Sequence, residues 1–419
     1  MVMWASAAAL AAIAIAGCAQ RGAAVTLKFW TFGREGEVVG QLLQEFERAH
    51  PGVHVEVQQI PLNASHEKLL TAFAGDALPD LCQLGNTWVP EFAALGALEP
   101  LQPYVDASEV VRFDDYFAGI WDTNVIAGKL YGVPWYVDTR LLFYRSDLLA
   151  AAGAQPPRTW QEWAQAMQAV KAQRGANNYA IFLPLNEFEP LLNLAIQQDD
   201  PLLRDNDTRG NFESAGFRRA FAFYVDAFRE GWAPSMSNTE LPNVWDEFAR
   251  GFVASYITGP WNIGEFKRRE PLLAGRWATL PLPSVDGAGG GAAGGSSFAI
   301  FRNSKQKRLA WELVEFLSSV AQQQRFYVLT GDLPSRRSAW TLADLGDDEY
   351  ARAFHEQLEH VKATPKVPEW ERIANEMQLM AERVVRGGVP VDTALHNLDA
   401  SVDAILAKRR ALLAHNAHD

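Results

Sequence analysis

Apolar and polar residues recur with two different periods along this chain, and each switch of period marks a change from strand to helix. Val25, Leu27 and Phe29 alternate with polar neighbours and predict a strand. Val39, Leu42, Leu43 and Phe46 then fall at i, i+3, i+4 and i+7, which predicts a helix that stops at Pro51-Gly52. Val53, Val55 and Val57 alternate again. A strand, helix, strand unit of this kind builds a parallel sheet with helices on its faces, so the fold class is α/β. Further along, Leu78-Pro79-Asp80-Leu81 leads another strand, and Trp88, Phe92 and Leu95 lie at helical spacing within Asn86 to Ala97. Thr159 and Glu162 fit a capping box ahead of a helix. Phe217, Phe221, Tyr224 and Phe228 form an aromatic stripe on a helix from Ala215 to Glu230, expected to face the core. A helix is expected from about Lys305 to Ser318, and the last hundred residues read as charged and helical.

Length changes this picture from one core to two. A chain of 419 residues exceeds the roughly 250 to 300 residues at which a single core stops growing. Two cores imply a cleft. A formal net charge of -12 repels nucleic acid and anionic membrane surfaces at long range, so the expected ligand is neutral or cationic. The glycine-rich run from Gly287 to Gly295 formally contains Gly289-x-Gly291-x-x-Gly294, but strand-like residues follow it where a dinucleotide site needs a helix. It reads as a flexible link between lobes.

Chemistry-bearing motifs are few. His50 and His54 are separated by Pro51-Gly52, His355 and His360 diverge on a helix, and no Gly-x-Ser-x-Gly elbow occurs, so neither a metal site nor a catalytic nucleophile is expected. No cofactor is expected either. Two cysteines give no disulfide framework: Cys82 lies in the apolar run Leu81-Cys82-Gln83-Leu84 and reads as a buried thiol. Cys18 ends the small-residue string Ile15-Ala16-Gly17-Cys18 after an apolar run, although no Lys or Arg precedes that run. This segment, residues 1–24, resembles a bacterial lipoprotein signal in which Cys18 becomes the lipidated N-terminus. Thr258-Gly259-Pro260-Trp261-Asn262 ends the strand-like run Phe252 to Ile257 and offers Trp261 on a loop as a stacking platform.

An ordered set of motifs extends beyond these. Gly132-Val133-Pro134-Trp135-Tyr136-Val137-Asp138 precedes Leu142-Phe143-Tyr144-Arg145-Ser146-Asp147-Leu148-Leu149. Pro157-x-Thr159-Trp160-x-Glu162, Gly259-Pro260-Trp261, Gly294-Gly295 and Leu333-Pro334-Ser335-Arg336 follow. The set resembles family 1 extracellular solute-binding proteins of ABC importers, most closely their maltose/trehalose-binding branch. The resemblance implies a two-lobed periplasmic-binding-protein fold with discontinuous lobes, a hinge and an interlobe cleft. It puts residues 25–137 and 297–330 in lobe 1, and 138–296 and 331–419 in lobe 2.

The same resemblance implies the site. Glu35 accepts sugar hydroxyls, Tyr136 and Asp138 are the crossover pair, Trp261 is the stacking ring, Gly295 adjoins the ligand, and Arg336 reaches into the cleft, with Arg337 competing for that place. Where the family often carries an acid, this chain has Gly85-Asn86, so Asn86 is expected to bind hydroxyls as a neutral group. The implied activity is capture of an α-linked disaccharide of maltose or trehalose type by a monomeric, non-catalytic protein. Delivery is to permease subunits of an ABC transporter, at a periplasmic or cell-envelope location, with a lipid anchor through Cys18. The alternative is a secreted glycoside hydrolase acting on α-glucosides, with Glu35 and Asp138 as its two carboxylates.

Overall fold

A computed structural model describes residues 25–416 apart from 242, 288 and 342. Nine strands build its two main sheets: β1 Val25–Phe32, β2 Val53–Ile60, β3 Leu81–Gly85, β4 Val133–Asp138, β5 Leu141–Tyr144, β6 Ser255–Thr258, β7 Ala278–Leu280, β8 Gly294–Ile300 and β9 Leu333–Pro334. The larger sheet has the order β9-β4-β8-β3-β1-β2, and the smaller is β6-β5-β7. β1 runs parallel to β2 and to β3, as the strand, helix, strand pattern requires, whereas β8 pairs antiparallel with β3 and β4.

Distinct clusters of buried side chains pack against the sheets, and one of them joins Val137 and Leu333 of the larger sheet to Leu141 and Phe143 of the smaller. Leu27, Phe29, Trp135, Phe298 and Val314 pack together behind the larger sheet, and the Trp135 ring stacks on Phe298 and Phe326 at 4.7 and 4.4 Å between centroids. Trp163, Phe221, Trp370 and Leu398 belong to the second core. Burying side chains of this size contributes about 1.5 to 3 kcal/mol each. The helix Ala215–Arg229 turns Phe217, Phe221 and Tyr224 into that core, and Thr159 and Glu162 form the capping box that starts the helix Trp160–Arg174. Cys82 is fully buried, and burial pushes its thiol well above the ordinary range.

The two lobes are joined where strands pass between sheets. The chain leaves the larger sheet after Asp138, crosses at Thr139-Arg140, and enters the smaller sheet at Leu141. It returns along the glycine-rich run, where Gly291–Ala292 pairs with Val361–Lys362 before β8 begins at Gly294. Leu333–Pro334 then pairs with β4. The larger sheet thus takes in Gly294, Gly295, Leu333 and Pro334, which the sequence division puts in the second lobe, because antiparallel pairing to β4 holds them there. Gly295 has φ +113, and a Cβ on it would stand 2.3 Å from the Tyr136 carbonyl oxygen, so the strands approach this closely only with glycine at that position. Trp261 corrects an expectation: it is not on a loop but is the first residue of the helix Trp261–Arg269, with Pro260 at the cap.

Candidate functional site

The crossing strands end at a cavity of about 300 Å³, within the size range of small-molecule sites. Tyr136 and Asp138 from β4 and Gly294 to Ser296 from β8 line it together with Trp88, Phe188, Glu189 and Asn193. Thr87 on the rim donates from Oγ1 to Glu371 Oε1 at 2.5 Å. Trp88 packs on Phe32 and His66, with ring centroids 5.5 and 5.0 Å away, so its position is fixed by neighbours on both sides.

Polar groups at the strand ends are tied into one network. Tyr136 Oη donates to Glu35 Oε1 at 2.6 Å, and Ser296 Oγ donates to Tyr136 Oη at 3.0 Å. Gln83, fully buried, donates from Nε2 to Tyr136 Oη at 3.1 Å and accepts from the Phe32 backbone N–H at 2.8 Å. Burial, followed by the nearby Glu35 charge, raises the Tyr136 phenol well above its ordinary range. Tyr136 therefore stays neutral and acts as a donor to the carboxylate.

Asp138 has a different environment. Its Oδ2 lies 3.9 Å from Arg140 Nη2, yet its Oδ1 is buried without a hydrogen-bond partner among the described residues. Burial raises its carboxyl above the usual range while Arg140 opposes that rise. A buried acceptor left unpaired costs about 1 to 3 kcal/mol, while the carboxylate as a whole stays 25% exposed on the cavity and can accept from a ligand hydroxyl there. On the far side of Arg140, Trp261 lines a second opening of about 730 Å³ together with Arg34, Tyr327 and Gly331. The Arg140 Cζ stands 4.6 Å from the centre of the Trp261 ring.

Two of the expected contacts take other forms. The Asn86 amide is buried and already engaged: Nδ2 donates to the Gly294 carbonyl at 3.2 Å, and Oδ1 accepts from Ser297 Oγ at 2.8 Å. It borders the cavity mainly as a tie between β8 and the end of β3. The expectation that Arg336 reaches into the cleft is corrected. Its Nε donates to Asp115 Oδ2 at 2.6 Å and its Nη1 to the Ser318 carbonyl at 2.8 Å, so the guanidinium is held away from the cavity. Arg337 does not replace it, because it pairs with Glu359 and the Tyr116 carbonyl and lies over Phe117. Residues not singled out from sequence complete the site: Gln83, Thr87, Trp88, Phe188, Glu189 and Ser296. The polar Gln83 within an apolar strand was their only clear signal, since a buried amide must find partners.

Asp332 adds a carboxyl beside Glu35. Burial first, and then the Glu35 charge, raise it to about 8. The folded protein therefore binds this proton more readily than the unfolded chain, and the associated stability is lost as pH rises from about 4 towards that value. Asp332→Asn is expected to raise stability at alkaline pH by about 1 to 2 kcal/mol, discounted for partial exposure, and to change little in acid. Calorimetric melting across that range checks this; equal effects at both ends would contradict it.

The family model described as "Bacterial extracellular solute-binding protein" matches residues 33–324. The solved structure of the sugar-binding protein MalE from Xanthomonas citri is 57% identical, with a TM-score of 0.90, and the match covers 93% of this chain and 99% of that one. The diacetylchitobiose binding protein DasA of Streptomyces coelicolor is 25% identical over 84% of this chain and 83% of its own length. An uncharacterized lipoprotein of Streptomyces antibioticus is 28% identical over 72% of this chain and 69% of its own.

Proposed function

The chain belongs to the bacterial extracellular solute-binding protein family, and on that premise we propose that it captures a neutral α-linked disaccharide, of maltose or trehalose type, between its lobes for an ABC importer. The observation that carries the reading is the Asp138 carboxylate, which accepts no hydrogen bond from any described residue, in a cavity walled by Trp88 and Phe188. A sugar needs both kinds of contact. Its hydroxyls donate to carboxylates, each charge-assisted bond contributing about 1.5 to 3 kcal/mol, and the C–H faces of its rings pack on aromatic surface. Glu35 and Tyr136 offer further polar contacts, Gly295 contributes backbone, and Trp261 supplies an aromatic wall on the other side of Arg140.

The sugar-binding MalE of Xanthomonas citri and the diacetylchitobiose-binding DasA support a carbohydrate ligand. Family and relatives are binding proteins, so the glycoside hydrolase alternative is set aside. Lobes 25–137 with 297–330, and 138–296 with 331–419, are proposed to close on the sugar, which favours closure only by binding the closed form more tightly. The protein is proposed to act as a monomer and to meet the permease subunits from outside the membrane. A thermal-shift screen over neutral disaccharides tests the reading: a ligand at 100 times its dissociation constant stabilises the native state by about 2.7 kcal/mol. A shift with the sugar recovered intact is expected. No shift with any neutral sugar would remove the assignment, and recovered monosaccharide would revive hydrolysis.

A lipid anchor through Cys18 is a separate proposal, supported by the Ile15-Ala16-Gly17-Cys18 string and by a relative described as a lipoprotein. Cys18 lies outside the described residues. Full-length protein expressed in bacteria is expected in the membrane fraction, and Cys18→Ser is expected to release it. An unmodified chain cleaved at another position, seen by mass spectrometry, would count against the anchor.

A further inference from the structure

Arg140 lines the cavity on the segment where the chain crosses between the two sheets. Its Nη2 lies 3.3 Å from Glu189 Oε1 and 3.9 Å from Asp138 Oδ2. The guanidinium stands over the Trp261 ring, with Cζ 4.6 Å from the ring centre. Three constraints from three different segments therefore hold one rigid group at the cavity wall. A guanidinium carries five N–H donors in a fixed plane. The Nε and Nη1 groups of Arg140 hydrogen-bond to no described residue, and the neighbouring Asp138 carboxylate, 3.9 Å from Nη2, likewise accepts no hydrogen bond from one.

Free donors next to a free acceptor match one chemical feature in particular, a pair of neighbouring hydroxyls. One hydroxyl accepts from the guanidinium while the other donates to the carboxylate. The charges around Arg140 limit the ligand further. Asp138, Glu189 and Glu187 all act on this single cation, so the region keeps an excess of negative charge and disfavours a carboxylated or phosphorylated sugar.

Resting on the sugar-binding reading above, we infer that Arg140 is a specificity-determining residue that, together with Asp138, recognises two neighbouring hydroxyls of a neutral sugar. Trp261 acts in part through it, as the ring over which the guanidinium stands. Loss of the Arg140 side chain removes recognition of one particular hydroxyl, and loss of the Trp261 ring weakens the same contact. The effects of the two changes are therefore not independent.

Isothermal titration with maltose, trehalose and the monodeoxy analogues of each tests this on wild type, Arg140→Lys, Arg140→Ala, Trp261→Ala and the double variant, with far-UV circular dichroism to confirm folding. Arg140→Ala is expected to bind the parent sugar about 10- to 100-fold more weakly. Against one monodeoxy analogue, already a poor ligand for wild type, the same variant should show no further loss. The double variant should lose less than the product of the single losses. Arg140→Lys, which keeps the charge but not the planar donors, should lose at least about fivefold. Wild-type binding with both Arg140 variants within twofold of it would overturn the inference alone, as would an equal loss against every monodeoxy analogue. A wild-type protein that binds no neutral disaccharide would overturn the sugar-binding reading and this inference with it.

Discussion

Asp138→Asn is expected to weaken disaccharide binding by about 1.5 to 3 kcal/mol, roughly 10- to 100-fold, while leaving both lobes folded. The substitution keeps the size of the side chain and changes what it offers. In the wild type, the carboxylate accepts no hydrogen bond from a described residue and is partly exposed on the cavity, so a sugar hydroxyl that donates to it gains a charge-assisted bond without displacing another. An amide in its place is neutral, and it loses the attraction to Arg140 that orients Asp138. The affinity should also depend on pH. Burial raises the Asp138 carboxyl, so the ionised acceptor is lost as pH falls, beginning above the range of an ordinary carboxylate. Affinity measured by titration calorimetry between about pH 4 and pH 8 should decline towards the acid end in the wild type and decline less in the variant. Unchanged affinity at neutral pH would remove Asp138 from the site.

Trp261→Ala is expected to cost roughly 1 to 3 kcal/mol of binding, because it removes a large aromatic wall and the surface that supports Arg140. The fold should tolerate the change. Trp261 is 37% exposed and lies at the first position of its helix, outside the packed cores, so its removal opens no buried cavity. Calorimetric affinity alongside an intact far-UV spectrum checks the prediction, and wild-type affinity in a folded variant would contradict it.

Much of the architecture was legible because it follows from local periodicity. The alternation at Val25, Leu27 and Phe29 and at Val53, Val55 and Val57 gives the parallel pair β1 and β2, and the stripe Phe217, Phe221 and Tyr224 gives a core helix. Tyr136 and Asp138 were legible as site candidates through the motif around the crossover strand, and both border the cavity. Arg336 shows where this kind of reasoning ends. Its destination depends on Asp115, 221 residues away, and no local pattern reveals that pairing. Asn86 is similar: as a polar residue at a strand end it suggests a ligand contact, but its partners Gly294 and Ser297 arrive from a strand some 200 residues later in the chain. Asp332 and Glu35 interact only because β9 returns to the larger sheet. The strand ahead of Trp261 is legible, and it stops at Thr258 where Gly259-Pro260 break it. The helical placement of Trp261 was missed because Pro260 also suits a helix start, where its missing N–H costs nothing.

A neutral disaccharide is proposed to lie between the two lobes, with its hydroxyls on Asp138 and Arg140 and its rings against the aromatic walls. A crystal structure of the protein grown with the tightest-binding disaccharide of the panel tests it most directly. Intact sugar is expected at the ends of β4 and β8, within hydrogen-bonding distance of the Asp138 carboxylate. Sugar bound elsewhere with this cavity empty, or cleaved sugar within it, would rule this placement out.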